Sequence, residues 1–335
     1  MFFTFISYPN VYSNILYITS AFSLPIHIFG GCCILCKTPT AMKSVKWALF
    51  NLHFWSASLD LSISLLAQPF MCTPAFAGFS LGIWGLIGVP TVVWSLGIIA
   101  VFKMVPISII SMFENRYTVL FVTNNGAWRY LRYPFLILNY TLVLAYCIPV
   151  YLDVPEDQEN AKRVMFEMYP QACELVVSKS VIFVMTLGDD YWSNLRENAL
   201  TVLVLVEIVV FVVVIRVKMN RATKDIQTSI SRDTFHKHRM FIRALNLKIA
   251  IPIAIIFIPA VFGAYLASQD SVQQGVDNLL NTVTSLHGLS ATILMIYLQK
   301  PYREVFLAVV LRRKKPVELK TVRIFSATRI TKSFV

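Results

Sequence analysis

The residues Phe113-Glu114-Asn115-Arg116-Tyr117 set an acid, an amide, a guanidinium and a phenol side by side where a long apolar run gives out. At such an exit these groups can pair with one another or with a partner and still reach water. Equally, any membrane-crossing helix can end in charges. Four more polar residues, Asp60, Lys103, Glu207 and His287, stand within apolar runs. Charge in hydrocarbon costs a few kcal/mol unless it faces other protein groups, so the four are read as an intramembrane polar network. Asp60 suits either a polar or sodium site or a protonated, hydrogen-bonded structural carboxyl. Lys103 lies about 20 Å from Arg116 by the helical rise. Its candidate counter-charges are an anionic ligand group, Asp60 at similar depth, and Glu207; equal depth makes Asp60 the expected partner.

Other reactive types point away from catalysis. The sequence holds no Gly-rich phosphate loop, no His-Glu-x-x-His and no nucleophile elbow, so no catalytic residue, cofactor or metal is expected and the chain is not read as an enzyme. Cys33-Ile34-Leu35-Cys36 has redox spacing, but inside a membrane helix it reads as buried thiols, with acylation of Cys36 as a further option. His236-Lys237-His238-Arg239 reads as a solvated basic face beside anionic lipid rather than a metal site. Cys72 and Cys173 are the two cysteines expected on the oxidising side, and a disulfide between them is favoured over two free thiols.

The elements that must carry these residues are membrane spans. A chain of 335 residues that is 56% hydrophobic and only 14% charged is too apolar for an ordinary soluble domain. Its net charge of +12 gathers in loops between apolar runs, not on a soluble face, which argues against nucleic acid. Seven spans are predicted, over 12–36, 47–68, 86–112, 134–151, 198–215, 244–266 and 279–299. Residues 1–11 hold no basic side chain and the next apolar run is too long for a signal peptide, so the first span is expected to be retained. Most of the 30 basic residues fall in the first, third and fifth connections and the tail, which places that side inside and the N-terminus outside. The basic connection 218–243 belongs to the inner side. The long acidic connection 152–196 belongs to the outer side, and its apolar stretch 181–187 suits a strand laid over a pocket.

The ordered series from Lys46 through Asn51-Leu52-His53-Phe54-Trp55 to Asp60, then Phe113 to Tyr117, then His287-Gly288, then Lys300-Pro301-Tyr302-Arg303, resembles the nematode chemoreceptors called serpentine receptor class h. Within it, the Glu114–Tyr117 cluster resembles the Glu/Asp-Arg-Tyr latch of seven-helix G-protein-coupled receptors. The resemblance implies an all-α membrane protein, a seven-transmembrane bundle with the N-terminus outside and a short amphipathic helix after the seventh span. The corresponding divisions are an extracellular 1–11, a membrane domain 12–299 and a cytoplasmic helix and basic tail 300–335. It further implies a chemosensory receptor of the neuronal plasma membrane that binds a small molecule and signals through a heterotrimeric G protein. Glu114, Arg116, Tyr117, Pro301, Tyr302 and Arg303 would serve coupling and activation. The chain departs from rhodopsin-like receptors where Asn115 separates acid from Arg116, where Phe257 stands before Pro259, and where the seventh span lacks Asn-Pro-x-x-Tyr.

The expected partners are thus a small ligand, a G protein and membrane lipid. Aromatic and aliphatic pocket walls suit volatile or lipid-like molecules and many others. A multi-span transporter or ligand-gated channel is the alternative, although inverted-repeat symmetry and paired broken helices are not seen in the sequence.

Overall fold

A computed structural model of the chain describes residues 5–73, 75–122, 126–174, 176, 181–187, 191–227, 254, 258, 261 and 274–310. Most of the expected sixth span, most of the basic connection before it and the tail past 310 lie outside the described residues.

Helix α1 spans Pro9–Lys37, with Pro9 in the first turn where its missing N–H is harmless. Tyr12, Leu16, Ser20, Ser23, His27 and Gly30 are buried in turn along it, a stripe at helical spacing. Helix α2, Lys46–Leu61, runs on through a π-helical turn at Ser62–Leu66. There the chain leaves the helix, with Gln68 at φ 45° turning it into strand β1, Pro69–Met71. Strand β2, Phe76–Ser80, follows, then the short helix α3, Ile83–Leu86.

Helix α4, Thr91–Phe121, is the hub of the bundle, packed on α2 and on the helices Trp128–Leu152 and Tyr191–Gln227. The predicted third span began at 86 and stopped at 112; the helix instead starts after Gly88 (φ 73°) and Pro90, and runs past the charged cluster. Hydropathy marks where hydrocarbon ends, whereas backbone hydrogen bonding continues, so Glu114–Tyr117 sits inside the helix and not at its end.

Helix α5 covers Trp128–Leu152, and α6, Gln158–Met168, is opened by Asp157, whose carboxylate accepts from the Asn160 N–H at 3.0 Å. Strand β3, Phe183–Thr186, completes an antiparallel sheet of order β1-β2-β3. The Gln158 side chain donates to Val184 O at 3.1 Å and accepts from Val184 N at 2.9 Å, satisfying the free edge of β3. Helix α7, Tyr191–Gln227, is 37 residues long and overruns the predicted 198–215 at both ends. The predicted seventh span is two helices, α8 (Gln274–Thr284) and α9 (His287–Leu298), followed by α10 (Lys300–Val310).

The main apolar core lies between α2, α4, α5 and α7 and includes Leu59, Ile110, Phe113, Val143, Ile208 and Phe211. A second core, with Tyr12, Phe70, Ala77, Met165, Ile182 and Val184, fills the sheet end. Outward faces are also apolar: Ile137, Leu138, Leu144 and Ile148 on α5, and Val202, Val206, Val209 and Val213 on α7, are exposed. Water would not tolerate faces of that size, and lipid does. Five stretches among the described residues, Pro9–Lys37, Thr91–Phe121, Trp128–Leu152, Leu195–Arg221 and Gln274–Leu298, are long and apolar enough to cross a membrane. The chain is an all-α, multi-pass membrane bundle with a small sheet at one end.

Candidate functional site

The polar residues predicted as one network divide into separate places. At the sheet end a cavity of about 270 Å3 opens between α4, α5 and α7. Its walls include Ile99 and Phe102 from α4, Tyr146 and Val150 from α5, and Met185 from β3. Lys103 points into it and is ion-paired with Glu197 of α7. Tyr146 donates to the other carboxylate oxygen at 2.5 Å, Thr201 reaches Glu197 Oε1 at 3.4 Å, and the Lys103 ammonium stands 5.5 Å from the Tyr146 ring centroid. A second pair, Arg196 with Asp153, closes the rim.

The expected Lys103–Asp60 pair is not formed. Lys103 faces α5 and α7 while Asp60 faces α1 and α9, and facing cannot be read from one sequence. Glu197 was not among the expected partners because it lies just before the predicted span 198–215. The α7 helix begins earlier than its hydropathy, and a lysine stem that leans toward its helix N-terminus covers the difference in height. Glu207 is on α7 beside Asn139, its Oε2 buried without a hydrogen bond among the described residues.

Asp60 is fully buried and holds the break in the seventh span. Its Oδ1 accepts from Gly288 N at 2.9 Å and its Oδ2 from Leu289 N at 2.7 Å. These are first-turn N–H groups of α9, which have no partner within their own helix and sit at its positive end. His27 Nε2 approaches Oδ2 at 3.2 Å, His53 Nε2 donates to His27 O at 3.0 Å, and Thr292 Oγ1 lies between the two Nδ1 atoms at 3.4 and 3.3 Å. The contact needs Gly288: a Cβ there would stand 2.6 Å from Ser56 O and 2.9 Å from Asp60 Oδ2. His287 is fully buried, and neither ring nitrogen has a hydrogen-bond partner among the described residues. His27 and Thr292 carry no signal in the sequence beyond being polar in apolar runs.

At the opposite end of α4, Glu114 is fully buried and accepts three hydrogen bonds. It accepts from Thr118 at 2.6 Å, Trp128 Nε1 at 3.0 Å and Arg132 Nη2 at 3.1 Å. The acid thus pairs with Arg132 at the start of α5, not with Arg116, because Asn115 shifts the two motif charges around the helix. Asn115 itself donates to Ser44 O at 3.1 Å. Arg116 is half-buried and makes no ion pair or hydrogen bond among the described residues. Tyr117 accepts from Lys218 Nζ of α7 at 3.0 Å, tying α4 to that helix.

After α9, Tyr302 turns inward and is fully buried, its hydroxyl 2.7 Å from Thr38 Oγ1 at the end of α1. Burial holds this phenol above its usual range, so it stays protonated. Pro301 opens the turn, and Arg303 stays exposed with Nη1 3.3 Å from Tyr297 O. Phe306 packs edge-on against Phe29 with centroids 5.8 Å apart, docking α10 on α1.

A lipid-faced helix bundle with a polar centre, a cavity at one end and a charged cluster at the other defines a multi-pass membrane protein of the receptor-like type. A family model described as serpentine type 7TM GPCR chemoreceptor Srh matches residues 7–312. The chain belongs to that family, a class of receptors and not of enzymes. It is also similar to serpentine receptor class H-72 of Caenorhabditis elegans, at 25% identity over 308 residues that cover 88% of this chain and 84% of the relative. Among the described residues no group of three or more His, Cys, Asp and Glu is placed to hold a metal.

Proposed function

We propose that the chain is a chemosensory G-protein-coupled receptor that takes a small molecule into the Lys103–Glu197 cavity and activates a heterotrimeric G protein at the Arg116 end. The reading orients the N-terminus and the sheet outward, and α10 and the basic tail toward the cytoplasm of a sensory neuron. Its seven spans include 244–266, of which residues 254, 258 and 261 are described. The observation that carries it is that one continuous helix, α4, holds Lys103 in the cavity wall and Arg116 in the opposite cluster. A ligand that shifts α4 against α5 and α7 therefore acts on the Glu114–Arg132 and Tyr117–Lys218 contacts, which join the same three helices. Pro301, Tyr302 and Arg303 set the start of α10 against the end of α1 and would serve coupling from there. Membrane lipid is the partner of the exposed α5 and α7 faces.

Nucleotide exchange on a co-expressed G protein, measured with a chemical panel at matched surface amounts, tests the reading. Ligand-evoked exchange is expected; a ligand-evoked current without G protein would place the chain with channels instead. Arg116→Ala should lower evoked exchange by about tenfold, the equivalent of ~1.4 kcal/mol of docking energy, while surface expression stays close to normal. Unchanged exchange in that variant would remove Arg116 from the coupling surface.

A further inference from the structure

Two properties of the cavity restrict what can occupy it. The first is size: about 270 Å3 lies just under the roughly 300–1,000 Å3 of drug-sized sites, so the occupant is small. The second is the state of Glu197. A carboxylate offers roughly four lone-pair positions, and here Oε1 serves Lys103 and Thr201 while Oε2 serves Tyr146. Among the described residues one position on Oε2 is left. The Glu197 side chain is also 46% exposed, against 12% for Lys103, so the carboxylate is the more accessible of the two charges.

The charge of the wall points the same way. Glu197 and Asp153 both line the cavity, with Lys103 as the single cation among the described lining residues; Arg196 balances Asp153 from outside that lining. Phe76, Phe102 and Tyr146 add ring faces that favour cations. An anion would need to prise Lys103 from Glu197 and leave two carboxylates facing it. A neutral alcohol could use the free Oε2 position but would bring no opposite charge to the carboxylate.

We infer that the cavity takes a small protonated amine with a short apolar tail, its ammonium on the free face of Glu197 beside Tyr146 and its tail against Ile98, Ile99 and Val150. This rests on the reading of the cavity as the ligand site, but binding and signalling can be measured apart.

The experiment uses the purified full-length receptor in detergent at neutral pH and three probes of equal chain length: hexylamine, hexan-1-ol and hexanoate. An alkylamine is charged there, as the Lys side chain with its pKa of about 10.4 is. Hexylamine should raise the thermal midpoint in a saturable way, with an apparent affinity at least about tenfold above either of the other two, a gap of ~1.4 kcal/mol. Glu197→Gln keeps the shape and one acceptor but removes the charge, and should lower hexylamine affinity about tenfold while leaving any weak hexan-1-ol effect unchanged. If that variant does not fold, the wild-type ranking of the three probes decides alone. Tighter binding of hexanoate would make Lys103 the anchor and overturn the inference. Equal binding of hexan-1-ol, no saturable effect of hexylamine, or full affinity in folded Glu197→Gln would overturn it too. Amine binding without nucleotide exchange would support the inference and count against the receptor reading above.

Discussion

Lys103 carries a charge whose partner decides both packing and ligand choice. Its ammonium is largely buried and Glu197 is its only ion-pair partner among the described residues. Lys103→Met frees a half-exposed carboxylate that Tyr146 and Thr201 still satisfy, whereas Glu197→Leu strands a buried cation. The second change should therefore cost more, about 2 kcal/mol, below the ~3–5 of a fully buried pair because Glu197 keeps some solvent. The double replacement should recover part of it. A double-mutant cycle on thermal stability tests this; additive losses would mean the two side chains are not coupled. Gly288 is a second residue-scale case. An alanine methyl would meet the Ser56 carbonyl at 2.6 Å, and backbone cannot swing aside as a side chain can. Gly288→Ala is expected to lower stability by roughly 1–3 kcal/mol through overpacking. Gly97→Ala, with nothing within 4 Å of its added carbon, should be neutral or stabilise by up to about 1 kcal/mol. Equal thermal midpoints in the two variants would contradict the close α2–α9 contact.

The seventh span shows how one element depends on another. Separate helices α8 and α9 leave first-turn N–H groups of α9 facing the bundle interior, where no bulk water can satisfy them. Asp60 of α2 supplies both oxygens to two of them, at 2.9 and 2.7 Å. The break is thus held from outside its own helix. Asp60→Asn offers one carbonyl oxygen where two acceptors are needed, and turns an amide N–H toward another donor. The expected loss is about 1–3 kcal/mol, read as a lower thermal midpoint with surface delivery reduced to match. Retained stability would show that α9 starts independently of Asp60. Past the other end of α9, α10 is joined to the end of α1 by the Tyr302–Thr38 hydroxyl contact and the Phe306–Phe29 ring contact.

Across the whole molecule, apolar surface is spent in two ways: inward between α2, α4, α5 and α7, and outward to lipid along α5 and α7. The sheet end is bound differently, by a disulfide between Cys72 and Cys173 that joins residues 101 apart, with Cα atoms 4.9 Å from each other. It ties the end of β1 to the turn after α6, and so fixes the sheet that supplies Met185 and Thr186 to the cavity wall. Closing so long a loop stabilises by roughly 2–4 kcal/mol. Cys72→Ser should lose that amount and weaken binding of cavity ligands. Mass mapping under non-reducing conditions should find the linked peptide in wild-type protein; a free thiol at either position in folded receptor would refute the bridge.

The membrane class and most of the spans were legible in the sequence because transfer to hydrocarbon is nearly additive along a chain. Any run such as 198–215 declares itself whatever packs beside it. The charged cluster at Glu114–Tyr117 was equally visible, since polar groups next to apolar runs are a local pattern. Helix ends were less so: α4 and α7 continue past their apolar runs because hydrogen bonding does not stop where hydropathy falls. The break at residues 285–286 had no Pro or Gly inside it to give it away, and exists where Asp60 meets the α9 backbone. Partner choice was the least legible. Lys103 with Glu197, Glu114 with Arg132 and Asp60 with α9 each depend on how far neighbouring helices are rotated about their axes. That rotation is set by side-chain packing between elements distant in sequence, and only the tertiary structure decides it.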